Sequence, residues 1–373
     1  MTPTLRRVIP FFDYPRLFTS EEEMLVAIVR DVGRRGAFIL QQDLARFEEN
    51  LALYLGARHT LGVGNATDGL LIALSASGIL PGDEVIFSSH TMVATAAAIH
   101  FAGAIPVAVE CGPDHLIDSQ AVAQAVTPRT RAILPTHLNG RTADMAALQS
   151  IANKSSLIII EDAAQALGAR FRGQCAGTFG AAAAISFFPA KVLGCLGDGG
   201  AVLTNDENIY DRALQLHDHG RRADGEIVSW GLNSRLDNLQ AAILDARLKN
   251  YGTVIERRRA IARLYDARLR TLPELKLPPA PDADDDHFDI YQNYEIEAAQ
   301  RDELRAHLKA SGIGTLLPWG GKAVHQWEKL GFTEKLPFTE KLFERILLLP
   351  LNMSLTDDEV NTVSDAIHAF YRG

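Results

Sequence analysis

"AAAISFFPAKVLGCLGDGGAVLTN" (182–205) decides how the rest of the chain is read. Two short apolar runs, "AAAISFF" and "GAVLTN", have the length and composition of buried strands. Between them a single lysine, Lys191, sits among Phe187, Phe188, Pro189, Val192 and Leu193. An amine in apolar surroundings loses charge readily, because burial disfavours the ammonium. The neutral amine attacks aldehydes and forms a Schiff base. Glycines at 194, 197, 199 and 200 let the backbone pass close to a bulky group. A lysine that snorkels to water fits the same letters.

Working outward, "EVIFSS" (84–89), "IPVAVE" (105–110), "RAILPTH" (131–137) and "SLIIIED" (156–162) read as further buried strands. Helix-like stretches such as "MVATAAAIHFAG" and "TADMAALQSIANKS" lie between them. That alternation predicts an α/β layered fold with a mainly parallel sheet. Such sheets bind ligands at the carboxyl ends of their strands. A long helix is expected over about 237–270, irregular at Gly252, and "ERRRA" (256–260) reads as its solvated face. "LPPAPDADDDHFD" (277–289) is an exposed connection. The remainder, with a strand-like "YQNYEIE" and helices near 301–311 and 356–371, reads as a smaller α+β unit. We divide the chain into 1–250, an N-terminal segment with the large domain, and 251–373, the smaller domain.

The bulk numbers set limits. At 373 residues the chain exceeds what one core usually serves. A net charge of −9 argues against a nucleic-acid or anionic-membrane surface. No apolar run approaches the roughly 20 residues needed to span a bilayer. The opening "MTPTLRRVIPFFDYPRLF" lacks the apolar core of a signal peptide. Cys111, Cys175 and Cys195 form neither a disulfide framework nor a metal motif. The expectation is a cytoplasmic protein without a metal, acting on small molecules.

Three further stretches carry polar residues where apolar runs end. In "GVGNATDGLLIALSASG" (62–78) a small-residue turn enters an apolar helix with Thr67 or Asp68 as N-cap. Its free amides suit a phosphate, and an ordinary capped helix reads equally well. In "LIIIEDAAQALGA" (157–169) Asp162 ends a strongly apolar strand. Burying that carboxylate calls for a partner, such as a protonated heterocyclic nitrogen, unless it caps a helix. In "WGLNSRLDNLQAA" (230–242) Asn233 and Arg235 precede a helix.

Taken in order, "NATDGL", "PTHLNG", "EDAAQALGA", "SFFPAKVLGCLGDGGAV" and "GLNSRLDNLQAA" resemble the DegT/DnrJ/EryC1/StrS aminotransferases. The resemblance is strong over roughly 20–250 and looser beyond. It implies the aspartate aminotransferase-like arrangement, fold type I, and the cofactor pyridoxal 5'-phosphate. Lys191 takes the place of the lysine that binds the cofactor aldehyde, and Asp162 that of the aspartate paired with the ring nitrogen. Gln165 matches the glutamine against the ring face. Ser186 and the amides of Ala66 and Thr67 match the phosphate cradle. Asn233 matches an asparagine contributed by a neighbouring subunit, which implies a homodimer with shared sites.

The chain also departs from the family. Met92 stands where an aromatic usually stacks on the ring, with His90 the alternative. Leu167 replaces a histidine, Asn139 and Arg141 replace an aromatic and a glutamine, and Leu317, Pro318 and Trp319 replace a histidine–tyrosine–proline run. Candidate substrate contacts are His137, Arg141, Arg235, Trp319 and His325, with Arg221 and Arg222 as further cations and His217 and His219 as further histidines.

The reading is transamination of a nucleotide-linked keto-sugar, with L-glutamate as amino donor. A cyclitol ketone as acceptor and a non-catalytic regulatory protein that binds the cofactor are the alternatives. Relatives that remove a hydroxyl replace the lysine, and Lys191 is present.

Overall fold

The computed structural model describes residues 8–372, so Met1–Arg7 of the opening stretch lie outside the described residues. The strands are β1 His59–Val63, β2 Glu84–Ser88, β3 Ile105–Val109, β4 Thr130–Leu134, β5 Ile158–Asp162, β6 Arg170–Phe171, β7 Gln174–Cys175, β8 Ala182–Ser186, β9 Gly200–Thr204, β10 Leu275–Lys276, β11 His287–Phe288, β12 Tyr294–Ala298 and β13 Ile346–Leu349. The main sheet runs β1-β9-β8-β5-β4-β2-β3. Its strands are parallel except for β9, which is antiparallel to both neighbours.

The helices are α1 Tyr14–Arg35, α2 Gln42–Leu55, α3 Ala66–Ala76, α4 Val93–Phe101, α5 Ser119–Ala125, α6 Met145–Ser155, α7 Glu207–His217, α8 Asn238–Leu248, α9 Tyr251–Leu269, α10 Arg301–Ala310, α11 Pro337–Phe343 and α12 Asp357–Arg372. Local chemistry sets their starts. Asp13, Asp118, Asp144 and Asp206 cap α1, α5, α6 and α7 by accepting backbone N–H bonds, and Pro15 sits in the first turn of α1. Helices flank both faces of the sheet. Leu70, Ala73 and Leu74 of α3 pack with Val85 and Phe87 on one side, and Phe47 and Leu51 of α2 pack with Phe187 and Leu244 on the other.

A second sheet, β10-β12-β13, shares a separate apolar cluster with α9, α10 and α12. Ile9 from the N-terminal segment joins it through a bridge to Ile313.

Two expectations are corrected. The long helix is two helices, broken at Lys249–Asn250, and Gly252 lies inside α9. Asn250 leaves the helical region at φ −109°, ψ 13°, which ends one run and starts the next. The "ERRRA" stretch is not a solvated face. Arg258 and Arg259 are buried. Arg258 donates to the carbonyls of Tyr291, Gln292 and Leu351. Arg259 donates to the Asp289 carbonyl and stacks 4.2 Å from the Phe288 ring centre. The sequence reading also passed over β1, α1 and α2.

Candidate active site

The carboxyl ends of β5 and β8 open onto a cavity of about 540 Å³. Its lining brings together Ala66, Thr67, Met92, Asp162, Gln165, Ser186, Lys191 and Trp319 from five separate stretches of chain. Lys191 lies in the loop joining β8 to β9. Phe187 and Gly199, and Cys195 and Phe187, are tied by backbone hydrogen bonds, so the loop folds back on itself. Gly194 permits this, because a Cβ there would lie 2.8 Å from the Phe188 carbonyl oxygen. Desolvation lowers the Lys191 pKa from 10.5 to about 8, against the opposing pull of Asp162.

Asp162 is buried at the end of β5. Its Oδ1 accepts from the Ala164 N–H at 3.1 Å, and its Oδ2 accepts from Thr95 Oγ1 at 2.7 Å. The turn that follows is not a helix, so the helix-cap reading of Asp162 falls away. Thr95 spends its one hydrogen on Asp162. Thr91 must therefore donate to Thr95, and Thr136 to Thr91, both at 2.9 Å. Among the described residues no Lys, Arg or His forms an ion pair with Asp162. The adjacent Glu161 points to the opposite side of the strand, as successive strand residues must. It accepts from the N–H groups of Gly177, Phe179 and Gly180 and from His137.

The phosphate end is equally built. Asn65, rather than Thr67 or Asp68, caps α3, accepting from the Asp68 N–H at 2.9 Å. The amides of Ala66 and Thr67 open the helix with no preceding carbonyl to bond, beside Ser186. A Cβ on Gly200 would lie 2.6 Å from the Asn65 carbonyl carbon and 2.8 Å from the Ala66 nitrogen, so this close approach requires glycine.

Gln165 is held by the Asn139 N–H, which donates to its Oε1 at 2.8 Å. Asn139 itself takes φ 56°, a left-handed conformation that asparagine tolerates. Met92 caps α4 and remains largely exposed on the cavity. Trp319, also left-handed, lines the cavity with its buried Nε1 lacking a partner.

Four expected substrate contacts are corrected. His137 is fully buried: its Nδ1 accepts from the Ala143 N–H, so Nε2 carries the hydrogen it gives to Glu161 at 2.8 Å. His325 is spent between Ser89, at 2.6 Å, and Glu340, at 3.3 Å. Arg141 is neutralised by Asp284 and Asp289 and lines a neighbouring cavity instead. Arg235 is paired with Asp218 at 2.9 Å. None of the four lines the lysine cavity. Arg221 and Arg222 also sit beside acids of their own hairpin. His217 bonds the Leu214 carbonyl, and His219 is left-handed in the turn that follows. Asn233 is exposed and outside the cavity of its own chain.

His90 is no ring-stacking substitute for Met92, because it is buried elsewhere. Its Nε2 faces Glu295 Oε2 at 3.5 Å, while His115 bonds Glu295 at 2.7 Å and Glu297 at 3.2 Å. Burial opposes both imidazolium charges, but Glu295, with Cys111 beside His90 and Glu297 beside His115, outweighs it, and both pKa values rise from 6.5 to about 9. Both are raised on folding. Their contribution is therefore full below about pH 6.5 and is lost as pH climbs through about 9. Lys191, with a depressed pKa, pushes the opposite way between about 8 and 10.5. The expected result is that thermal unfolding scans show the parent's advantage over His115→Gln shrinking steadily from pH 6.5 to 9.5. An advantage that stays constant across that range contradicts the assignment.

Sequence reasoning missed Asn65, Thr95, Phe11, Phe12, Gln292 and Asn293. Only Thr95, a lone hydroxyl in an alanine-rich helix, and the polar pair opening "YQNYEIE" left a signal.

The chain matches the DegT/DnrJ/EryC1/StrS aminotransferase family over residues 19–368. It belongs to that family. It is 40% identical to the dTDP-3-amino-3,4,6-trideoxy-alpha-D-glucose transaminase of Streptomyces venezuelae, covering 96% of this chain and 95% of that one. It is 39% identical to a protein named pleiotropic regulatory protein from Geobacillus stearothermophilus, covering 98% and 99%. The solved structure of S. venezuelae DesV in complex with a ketimine intermediate superposes with a TM-score of 0.94 at 39% identity, covering 98% and 99%. The α/β fold is thus that of an aminotransferase, and the family's cofactor is pyridoxal 5'-phosphate.

The residues fit that cofactor. A carboxylate without a cationic partner, an amine of lowered pKa and a helix start crossed by an obligatory glycine line one cavity. These three suit a protonated ring nitrogen, an aldehyde and a phosphate respectively.

Proposed function

We propose that the protein is a pyridoxal phosphate-dependent transaminase that aminates a nucleotide-linked keto-sugar, with L-glutamate as donor. The observation that carries this reading is that Lys191, with its lowered pKa, and the buried Asp162 line one cavity. The whole-length similarity to a dTDP-amino-sugar transaminase supports the substrate class.

When bound, pyridoxal phosphate supplies an aldehyde that condenses with amines and a ring that accepts an electron pair. Asp162 holds the proton on the ring nitrogen, and the Thr136–Thr91–Thr95 hydroxyl chain holds Asp162. Ala66, Thr67 and Ser186 bind the phosphate. Gln165 and Met92 bracket the ring. With the cofactor held there, Lys191 Nζ would be the group placed to bind its aldehyde and, once free, to act as general acid and base for the donor's α-proton. Leu317 and Trp319, which line the same cavity, would face the keto-sugar acceptor.

Asn233 completes the phosphate site of a second copy, which makes the active unit a homodimer. Phe38, Ile39, Leu40, Val228 and Trp230 are exposed apolar side chains that such a dimer would cover. We keep the division at 250/251 as a proposal, with Tyr251, Ile255 and Ile290 packing back into the cluster of the large unit and Ile9 into that of the smaller one. A cytoplasmic location is in keeping with three buried free thiols. No helix of the described residues is long and apolar enough to cross a membrane.

The test is a panel of nucleotide-linked keto-sugars with L-glutamate, read by mass spectrometry, with double-reciprocal plots for the substrate that turns over. Parallel lines are expected of a two-stage exchange. Loss of visible absorbance on adding L-glutamate alone separates a catalyst from a protein that merely binds the cofactor. Intersecting lines, or no spectral change, refutes the reading.

A further inference from the structure

The amide of Gln292 grips the chain on both sides of Lys191. Its Nε2 donates to the Ala190 carbonyl at 2.8 Å, and its Oε1 accepts from the Val192 N–H at 3.0 Å. Gln292 is 5% exposed, so water competes weakly for either bond. The Lys191 N–H is taken by the Phe188 carbonyl at 2.8 Å. The peptide groups around the amine thus have partners, and two of those bonds come from one side chain.

Gln292 is itself rigidly seated. Arg258, buried, donates to the Tyr291 carbonyl at 2.8 Å, the Gln292 carbonyl at 2.7 Å and the Leu351 carbonyl at 3.0 Å. Tyr291 takes φ 53°, in the left-handed region, which turns the segment just before β12. The segment lies directly on Gly140, where a Cβ would come within 2.6 Å of the Gln292 nitrogen. The next residue, Asn293, donates to Asn139 Oδ1 at 2.8 Å, and Asn139 holds Gln165. Two consecutive side chains therefore fasten two walls of the cavity, the lysine loop and the Gln165 wall.

We infer that Gln292 is a positioning residue, which sets the Lys191 amine at the height where it meets the cofactor aldehyde. The inference rests on the functional reading above. Gln292 need not touch the reacting atoms to do this. Without its amide, the Ala190 carbonyl and Val192 N–H lose their partners in a buried place, and the loop must shift to find others. A lysine side chain amplifies a small backbone shift at its far end.

The test uses the full-length apo-protein and two measurements. The first is the rate at which it covalently captures pyridoxal phosphate, followed by the visible band. The second is equilibrium binding of pyridoxamine phosphate, which has no aldehyde and makes no bond to lysine. In Gln292→Leu, similar in size but without hydrogen bonds, capture is expected to slow about tenfold, the worth of two modest hydrogen bonds, with pyridoxamine phosphate binding unchanged. Gln292→Glu keeps the acceptor for Val192 but sets a carboxylate against the Ala190 carbonyl and adds negative charge near Lys191. Its capture is expected to slow as well, with the pH midpoint of capture moved upward. If Gln292→Leu does not fold, Gln292→Glu decides by the same pair of measurements.

Unchanged capture overturns the inference. So does an equal loss of capture and of pyridoxamine phosphate binding, which is what a purely structural role would give. A parent protein that captures no pyridoxal phosphate overturns the functional reading and this inference with it. A parent that captures it at the same rate as the variant overturns this inference alone.

Discussion

Lys191→Ala loses the visible band of the lysine-bound cofactor and slows transamination by at least about 10³-fold, the upper range of what a positioned acid–base group supplies. The variant still binds pyridoxamine phosphate, because the helix start, Ser186 and Asp162 remain. Spectra and single-turnover rates check this directly, and turnover within tenfold of the parent would remove Lys191 from its role. The parent carries a companion expectation. An ordinary lysine is almost wholly charged at neutral pH, whereas a pKa lowered from 10.5 to about 8 leaves roughly 300 times more free amine. Covalent capture of pyridoxal phosphate by the apo-protein should therefore rise with pH through a midpoint near 8.

Asp162→Asn is the second large effect. Asparagine preserves the shape and can still accept from Thr95 or the Ala164 N–H, so the fold survives. What it lacks is the charge that keeps a proton on the ring nitrogen. Turnover is expected to fall by about 10²-fold or more, the scale on which a preorganised charge acts in a water-poor site. A second signature follows from the same charge. Asp162 raises the Lys191 pKa against the burial that lowers it. Removing the charge moves the capture midpoint below that of the parent. Capture rates measured across pH in parent and variant decide the point. A midpoint that does not move means that the two groups do not sense each other across the cavity.

Much of this site was legible one residue at a time. Lys191 announced itself by an apolar neighbourhood that no surface lysine needs. Asp162 stood at the end of a strand too apolar to be anything but buried. Ser186 and the 194–200 glycines followed from the same stretch. Other residues gave signals that pointed the wrong way. His137, His325, Arg141 and Arg235 have the chemistry of substrate contacts, yet each is consumed by a partner remote in sequence: Glu161, Ser89 and Glu340, Asp284 and Asp289, and Asp218. "ERRRA" looked solvated because it carries charges, and Arg258 is buried because carbonyls from 291, 292 and 351 converge on it. "GVGNATDG" suggested a cap at Thr67 or Asp68, and the cap is Asn65, whose side chain accepts from the Asp68 N–H.

By itself the sequence determined the alternation of strands and helices, the buried amine, the buried acid and the order of motifs that marks the family. Those properties are local: hydrophobic period, residue size and the cost of isolated charge can be read from neighbours in the chain. Only the tertiary structure decided which polar groups remain free to act. Hydrogen-bond capacity is finite, and a side chain is available to a ligand only when no distant residue has already taken its donors or acceptors. The Thr91–Thr136 and Thr95–Asp162 bonds behind the cavity and the Gln292 bond to Ala190 beside Lys191 span 45 to 102 positions of sequence, and no local pattern encodes them.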